Sequence, residues 1–244
     1  MSRRKMSREE VKTVLAGHQR WLETGGERGE RADLSHCDLS HHNLQQANLE
    51  KALLEGGNFY GANLRTANLR GANLKGAGMM GADLQWAIFF QSDLKEARLD
   101  GASLHYANFS SSHLTRASML NVYLHNAYFS KATLESADLR GASFRFTEMN
   151  YANLRGASLS GAVIAATKMI GADVSDSDLS DTQVTMSNFE NANFQDSKFV
   201  NASLLRSNFH GADLRGTDFN GAKVESVDFS AVRLSKRNGR VLAA

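Results

Sequence analysis

The chain has 244 residues with 28 basic and 26 acidic side chains, so its formal net charge is only +2. A charge this close to balance gives no global field that favours a nucleic acid or a membrane surface. The single cysteine, Cys37, excludes an internal disulfide and leads us to expect a cytoplasmic protein. Proline is absent, which suits a chain in which nearly every backbone N–H is hydrogen-bonded.

The N-terminal segment, residues 1–31, predicts a capping helix over about 7–24. Ser7 and Glu10 have the spacing of a capping box, and an apolar stripe follows between Val11 and Leu22. We expect this helix to cover the exposed apolar end of a repeat array; a membrane-binding helix is the alternative. The basic start lacks the apolar segment of a secretory signal, and no apolar run approaches the roughly 18 residues that span a bilayer.

Residues 32–236 repeat with a period of five. Every fifth residue from Leu34 to Leu234 is Leu, Phe, Met, Ile or Val, which makes 41 consecutive centres without an insertion. Two residues before each centre lies a small residue, mostly Ala, and the residue directly before it is often Asn or Asp, as in ANLRTANLRGANL at 62–74. This period fits neither a helix nor a simple strand. It predicts a chain that turns a corner every five residues and closes a square coil of 20.

The phenylalanines support a coil of 20 residues. Six of the 11 central phenylalanines, Phe89, Phe109 and Phe129 among them, fall in one column when the sequence is read at that spacing. Coils stacked at about 4.8 Å would pair backbone to backbone and place those rings over one another. The centres would then fill the interior, the small residues would lie beside them, and glycine would ease positive φ at the corners.

The tandem Ala-Asp/Asn-Leu-x-x pattern resembles that of the pentapeptide-repeat proteins throughout residues 32–236. The resemblance implies an all-β fold, a right-handed quadrilateral β-helix (a β-solenoid) with four pentapeptides per coil and about ten coils, roughly 50 Å long. Residues 237–244 form a short basic C-terminal tail. The last coil is apolar at Phe229 and Leu234, so either the tail folds over it or a second molecule does, which would make a homodimer.

No catalytic or cofactor motif stands outside the repeat. The stretch HCDLSHHN contains His36, Cys37, His41 and His42, but a zinc site needs three or four converging ligands. The register places Cys37 and His42 inward and the other two at outer corners, which favours an imperfect first coil over a metal site. A packed rod without insertions offers no concave pocket of the kind enzymes use. We therefore expect no enzymatic activity, no cofactor and no metal.

Acidic residues concentrate in the C-terminal third of the chain. Between residues 171 and 197 there is no Lys or Arg, and the acids there are Asp173, Asp176, Asp178, Asp181, Glu190 and Asp196. They are either a solvated face or a patch for a basic partner. Some proteins of the resembled family bind DNA gyrase or topoisomerase IV as mimics of duplex DNA, inhibiting the enzyme or protecting it from quinolones. The charge of +2 and the lack of loop insertions weigh against that function, and basic residues that alternate with acids weigh against direct nucleic-acid binding.

Large apolar residues at outward positions form the candidate partner-binding site. They lie on two neighbouring faces of the middle coils: Trp86, Ile88, Phe90, Tyr106, Tyr123, Tyr128 and Phe146. Clusters of this kind mark interfaces, although apolar residues scattered over a surface are ordinary. The preferred hypothesis is a non-enzymatic, rod-shaped scaffold that binds an unidentified protein partner through these outward side chains.

Overall fold

The N-terminal segment folds as a cap over the first coil. In a computed structural model, which describes residues 3–235, strand β1 (Arg4–Lys5) and helix α1 (Arg8–Glu23) precede the repeats. The helix begins with the predicted capping box, in which Glu10 N donates to Ser7 Oγ and Ser7 N donates to the Glu10 carboxylate. The hydrogen bonds that the Glu10 carboxylate accepts, from the Ser7 backbone above all and then from the Ser7 and Arg4 side chains, lower the pKa of Glu10 to about 2.

The inward side of α1 is sealed by Val11 and His18, both of which are buried. Ala32 N donates to His18 Nδ1 over 3.1 Å, and the indole of Trp21 stacks on the His18 ring. Burial lowers the pKa of His18, which keeps the imidazole neutral as that hydrogen bond requires. A further contact was not predicted: β1 pairs in parallel with β2 (Cys37–Asp38) of the first coil.

The repeats form the quadrilateral β-helix that the sequence predicted. Ten successive parallel bridges, each between residues 20 apart, connect Asp33 to Arg233 in one column. We number the four faces of the coil by their first centres, Leu34, Leu39, Leu44 and Leu49. The predicted tail, residues 237–244, lies outside the described residues.

Each position of the five-residue repeat has a defined structural role, which the unit around Leu64 illustrates. Asn63 Oδ1 accepts from the N–H of Arg65, two residues on, and so holds the turn that follows. Leu64 N donates to Asp83 O of the next coil, and Ala67 N returns to Leu64 O to close a β-turn. Thr66, the second turn residue, has φ of +57°, a value that glycine meets most easily.

The interior is a column of large side chains flanked by small ones. The centres from Leu34 to Phe219 are buried, and the phenylalanine column stacks as expected. The ring centroids of Phe89 and Phe109 lie 4.5 Å apart, and those of Phe109 and Phe129 lie 4.8 Å apart.

Face 3 becomes a regular five-stranded parallel sheet in the C-terminal half. Its strands, in spatial order, are β3 (Ser143–Arg145), β4 (Val163–Ala165), β5 (Gln183–Thr185), β6 (Ser203–Leu205) and β7 (Lys223–Glu225). The small inward residues after the first four of these strands are Thr147, Thr167, Ser187 and Ser207, where earlier coils of this face have alanine. The hydroxyl of Thr167 donates to Phe144 O, and Thr167 N donates to Ser187 Oγ, so side chains replace the turn hydrogen bond seen in earlier coils.

Candidate interaction surface

The corner between faces 3 and 4 carries four of the eleven exposed large apolar side chains among the described residues. Trp86, Tyr106, Phe146 and Met186 follow one another in this column, with Asn126 and Ala166 between them. We call these six residues the aromatic corner. The rings of Trp86 and Tyr106 are parallel, with centroids 4.0 Å apart.

The backbone at this corner is left-handed at every coil. All ten corner residues from Gln46 to Ser226 have φ between +48° and +61°, and none is glycine. The corner between faces 2 and 3 holds six glycines in ten positions, and its other residues are His, Asn or Asp. Those residue types tolerate positive φ, whereas Trp, Tyr, Phe and Met do so at a cost of about 1 kcal/mol each. The fold itself does not require bulky residues at this corner.

The structure brings most of the predicted patch together. Trp86, Tyr106 and Phe146 share the aromatic corner, Tyr123 lies on face 3, and Ile88 and Tyr128 lie on the adjoining edge of face 4; all six are exposed. Phe90 differs, because it is half-buried on face 4 with the Arg70 guanidinium 5.0 Å from its ring centroid.

Sequence reasoning missed Met186, which is 60% exposed and lies 40 residues, or two coils, beyond Phe146. Reading the sequence at the period of 20 would have found it. Tyr60 and Tyr151 are also exposed, but they lie outside this patch, on face 2 and at the corner that follows face 4.

Two histidines lie beside the aromatic corner on face 3. The rings of His105 and His125 are 4.8 Å apart and perpendicular, and Tyr123 contacts both. Burial lowers the pKa of His125, and the charges of His105 and Arg145 lower it further. At neutral pH His125 is therefore uncharged.

Charge is almost absent from the aromatic corner and from the middle of face 3, between Asp83 and Arg206. Between Gln85 and Leu205 the outward positions include one charged residue, Arg145, whereas face 1 carries nine over the same coils. We call this stretch of face 3, together with the aromatic corner, the neutral strip. Arg145 is exposed, and its side chain forms no ion pair or hydrogen bond with any described residue.

The acidic residues do not form one patch. Five lie on faces 1 and 2, but Glu190 lies on face 4. Asp176 pairs with Arg155 of the preceding coil at 3.0 Å, and the backbone of Asp178 bridges to Lys198 of the next. Asp173 and Asp178 also accept turn N–H groups from the second residue that follows each of them. Part of this charge is therefore neutralised or used within the fold.

The first-coil histidines do not converge with other ligands. His41 packs edge-on against Tyr60, and His42 is half-buried, with Nδ1 near Ser40 O. Within residues 3–235, no three His, Cys, Asp or Glu side chains are grouped as a metal site would require.

A cleft of about 560 Å³ lies between α1 and the segment 29–33, lined by Thr13, Arg20 and Glu30 among others. In the same part of the chain, no helix combines the length and apolarity needed to cross a membrane.

Comparison with known families accounts for nearly the whole repeat region. A model of pentapeptide repeats (8 copies) matches overlapping segments from residue 30 to residue 161, and a model of the pentapeptide repeat region matches residues 161–229. No curated protein sequence matches the chain significantly.

Several solved structures are similar. HetL, a pentapeptide repeat protein involved in heterocyst differentiation regulation in the cyanobacterium Nostoc sp. strain PCC 7120, is 26% identical with a TM-score of 0.51. The alignment covers 93% of this chain and 96% of HetL. QnrB1, a plasmid-mediated fluoroquinolone resistance protein, is 17% identical over 88% of this chain and 97% of its own, with a TM-score of 0.40. That second likeness supports no inference about function.

Proposed function

Because the chain belongs to the pentapeptide-repeat family, whose members are generally structural or interaction proteins, we propose that it is a rod-shaped, non-enzymatic protein that binds a protein partner along the neutral strip. The lumen is filled by the centres, so function resides in the outward side chains. An enzyme would need convergent catalytic groups in a pocket, and the exposed residues of the strip, apart from the single charged residue Arg145, are apolar or neutral.

The observation that carries this proposal is the strained aromatic corner. Trp86, Tyr106, Phe146 and Met186 are exposed, and each occupies a left-handed position where glycine would relieve backbone strain. Strain of this kind is retained at functional sites when a side chain is needed at that position. An exposed row of aromatic residues on a surface with a single charge is also close to the composition found in the cores of protein interfaces.

The test is capture of a partner from an extract of the source cells by two variants. In the first, Trp86, Tyr106 and Phe146 are changed to Ser; in the control, Tyr60 and Tyr151, exposed aromatics outside the strip, are changed to Ser. We expect the first variant to melt close to the wild type and to lose the partner, and the control to keep it. Equal capture by both variants would show that the strip is not the site.

The gyrase-binding alternative has less support. A mimic of DNA needs an extended negative surface, and Arg155, Lys198 and the placement of Glu190 interrupt the acidic residues of the C-terminal third. If such activity exists, we expect it to depend on Asp176, Asp178, Asp181 and Asp196.

Self-association through the last coil is a further part of the proposal. Val224 and Leu234 are exposed at this end of the rod, and no described residue covers them. Sedimentation of the wild type and of a Val224→Ser, Leu234→Ser variant measures whether two rods join end to end.

The lone Cys37 thiol suits a reducing compartment such as the cytoplasm, which fractionation of the source cells would test.

A further inference from the structure

The backbone of the neutral strip is closed to strand addition. Leu104 N donates to Tyr123 O and Phe146 N donates to Ala165 O, so these groups point along the rod into the neighbouring coils. An extended peptide adds to a sheet only where such groups are free. A partner on this face must therefore bind through side chains, which favours a segment whose own backbone hydrogen bonds are already made.

The dimensions of the strip match one α-helix. Six coil steps separate Gln85 from Leu205, and steps of about 4.8 Å give a length of roughly 29 Å. The width of a face, three extended residues, is roughly 10 Å. A helix of about 20 residues is 30 Å long and 10–12 Å wide. A strip roughly 29 Å by 10 Å is too narrow for the broad contact of a standard interface between globular proteins, which buries ~800 Å² of accessible surface per partner.

The relief of the aromatic corner alternates between large and small residues. Phe146 and Met186 project on either side of Ala166, and Asn126 leaves a second gap between Tyr106 and Phe146. The turns of a helix recur every 5.4 Å, close to the coil step of about 4.8 Å, so a helix laid along the strip would keep its turns near the register of the coils across these two gaps. Its apolar stripe could then fill the gaps.

Arg145 identifies the charge that the partner must supply. It is the one charged residue of the strip, and its side chain has no ion pair within the described residues. An apolar helix that covered it without an acid would desolvate an unpaired guanidinium, which is costly. We propose that the neutral strip binds one amphipathic α-helix of a partner protein, with an Asp or Glu in its apolar stripe opposite Arg145; this rests on the function proposed above.

The probes are two displayed libraries of 20-residue peptides. In one, apolar residues recur at helical spacing and one central stripe position is open to Glu, Gln or Lys; in the other, the same composition is shuffled and a central proline is added. Both are selected on the full-length protein after removal of phage that bind the Trp86, Tyr106, Phe146→Ser variant. We expect binders from the helical library alone, with Glu at the open position.

The affinity of a selected Glu peptide is then measured on three proteins. We expect Arg145→Glu to weaken binding about tenfold or more, and the Lys version of the peptide to regain it. Lys75→Glu is the matched control and should change the affinity less than about twofold, since Lys75 is exposed on face 1 and forms no ion pair with residues 3–235.

Three outcomes would overturn the inference. They are binders from the shuffled library, no binders from either library, or a selected helical peptide whose affinity is unchanged by Arg145→Glu. The partner-capture experiment separates these outcomes from the proposed function. If the Trp86, Tyr106, Phe146→Ser variant loses its cellular partner but no helix is selected, the strip is a binding site for something other than a helix. If that variant keeps its partner and no helix is selected, both proposals fail.

Discussion

Phe146 offers a direct measurement of strain at the aromatic corner. Its φ is +56° and its side chain is 63% exposed. Replacing it with Ala removes the buried third of the ring, which costs roughly 0.5–1 kcal/mol of the 1.5–3 kcal/mol for a fully buried Phe. Replacing it with Gly removes the same contacts but relieves about 1 kcal/mol of backbone strain. We therefore expect Phe146→Gly to be about as stable as the wild type, and Phe146→Ala to be less stable by about 1 kcal/mol.

The decisive quantity is the difference in the free energy of unfolding between Phe146→Gly and Phe146→Ala. Its sign reports the backbone strain, because both variants lose the same packing contacts. In an ordinary extended backbone Ala is more stable than Gly by roughly 0.5–1 kcal/mol. The exposed Tyr128 is not among the residues with positive φ, so Tyr128→Ala should exceed Tyr128→Gly in stability. Gly101→Ala isolates the backbone term, since φ is +65° and a new Cβ would meet nothing within 4 Å. It should cost about 1 kcal/mol.

Thermal unfolding followed by circular dichroism is sufficient, because 1 kcal/mol corresponds to about 2–4 °C in Tm for a chain of this size. The reasoning would be refuted if Phe146→Ala were as stable as Phe146→Gly. The corner would then carry no strain, and the main argument for a functional surface there would be lost.

Other expectations concern the core, the cap and the acidic residues. Phe109→Asp buries an unpaired charge between two stacked rings and should unfold the protein, measurable as loss of the folded circular dichroism signal. The pKa of His18 is lowered on folding, so its contribution to stability is complete above about pH 6.5 and falls as the pH drops below that value; urea titrations should show this, and His18→Gln should lessen it. Ser7→Ala removes the N-cap and should cost about 1 kcal/mol of helix stability, seen as faster amide exchange in α1. A DNA supercoiling assay at low salt should show no strong inhibition of gyrase at micromolar protein; strong inhibition would restore the DNA-mimic hypothesis.

The interior of the rod could be predicted from the sequence because one requirement repeats without change. Every fifth side chain must fill the lumen, and each Asn or Asp before it holds a turn. The residue types of Leu64 and Asn63 therefore predict that the first is buried and that the second accepts a turn hydrogen bond. The helix was equally readable from its capping box. Strand β1 was not, because two residues, Arg4 and Lys5, carry no periodic signal and their pairing depends on where α1 docks.

The surface was less predictable because its neighbours lie 20 residues apart. A window along the sequence from 171 to 197 contains no base, yet Arg155 reaches Asp176 from the coil before. For the same reason Phe90 could not be recognised as covered by Arg70. The five-stranded sheet on face 3 does coincide with a pattern in the sequence, since Thr147, Thr167, Ser187 and Ser207 replace alanine at intervals of 20.

Face 3 combines properties that the fold does not require of it. The lumen constrains only the inward residues, so glycine could occupy the corner beside Phe146 and Met186, as it does at the corner between faces 2 and 3. Charges could line this face as they line face 1. Instead, strain at the corner, the near absence of charge and the five-stranded sheet from β3 to β7 occur on the same side of the rod. Because the strain and the missing charges do not stabilise the coil more than glycine and ion pairs would, their occurrence on one side supports the proposal that another molecule binds there.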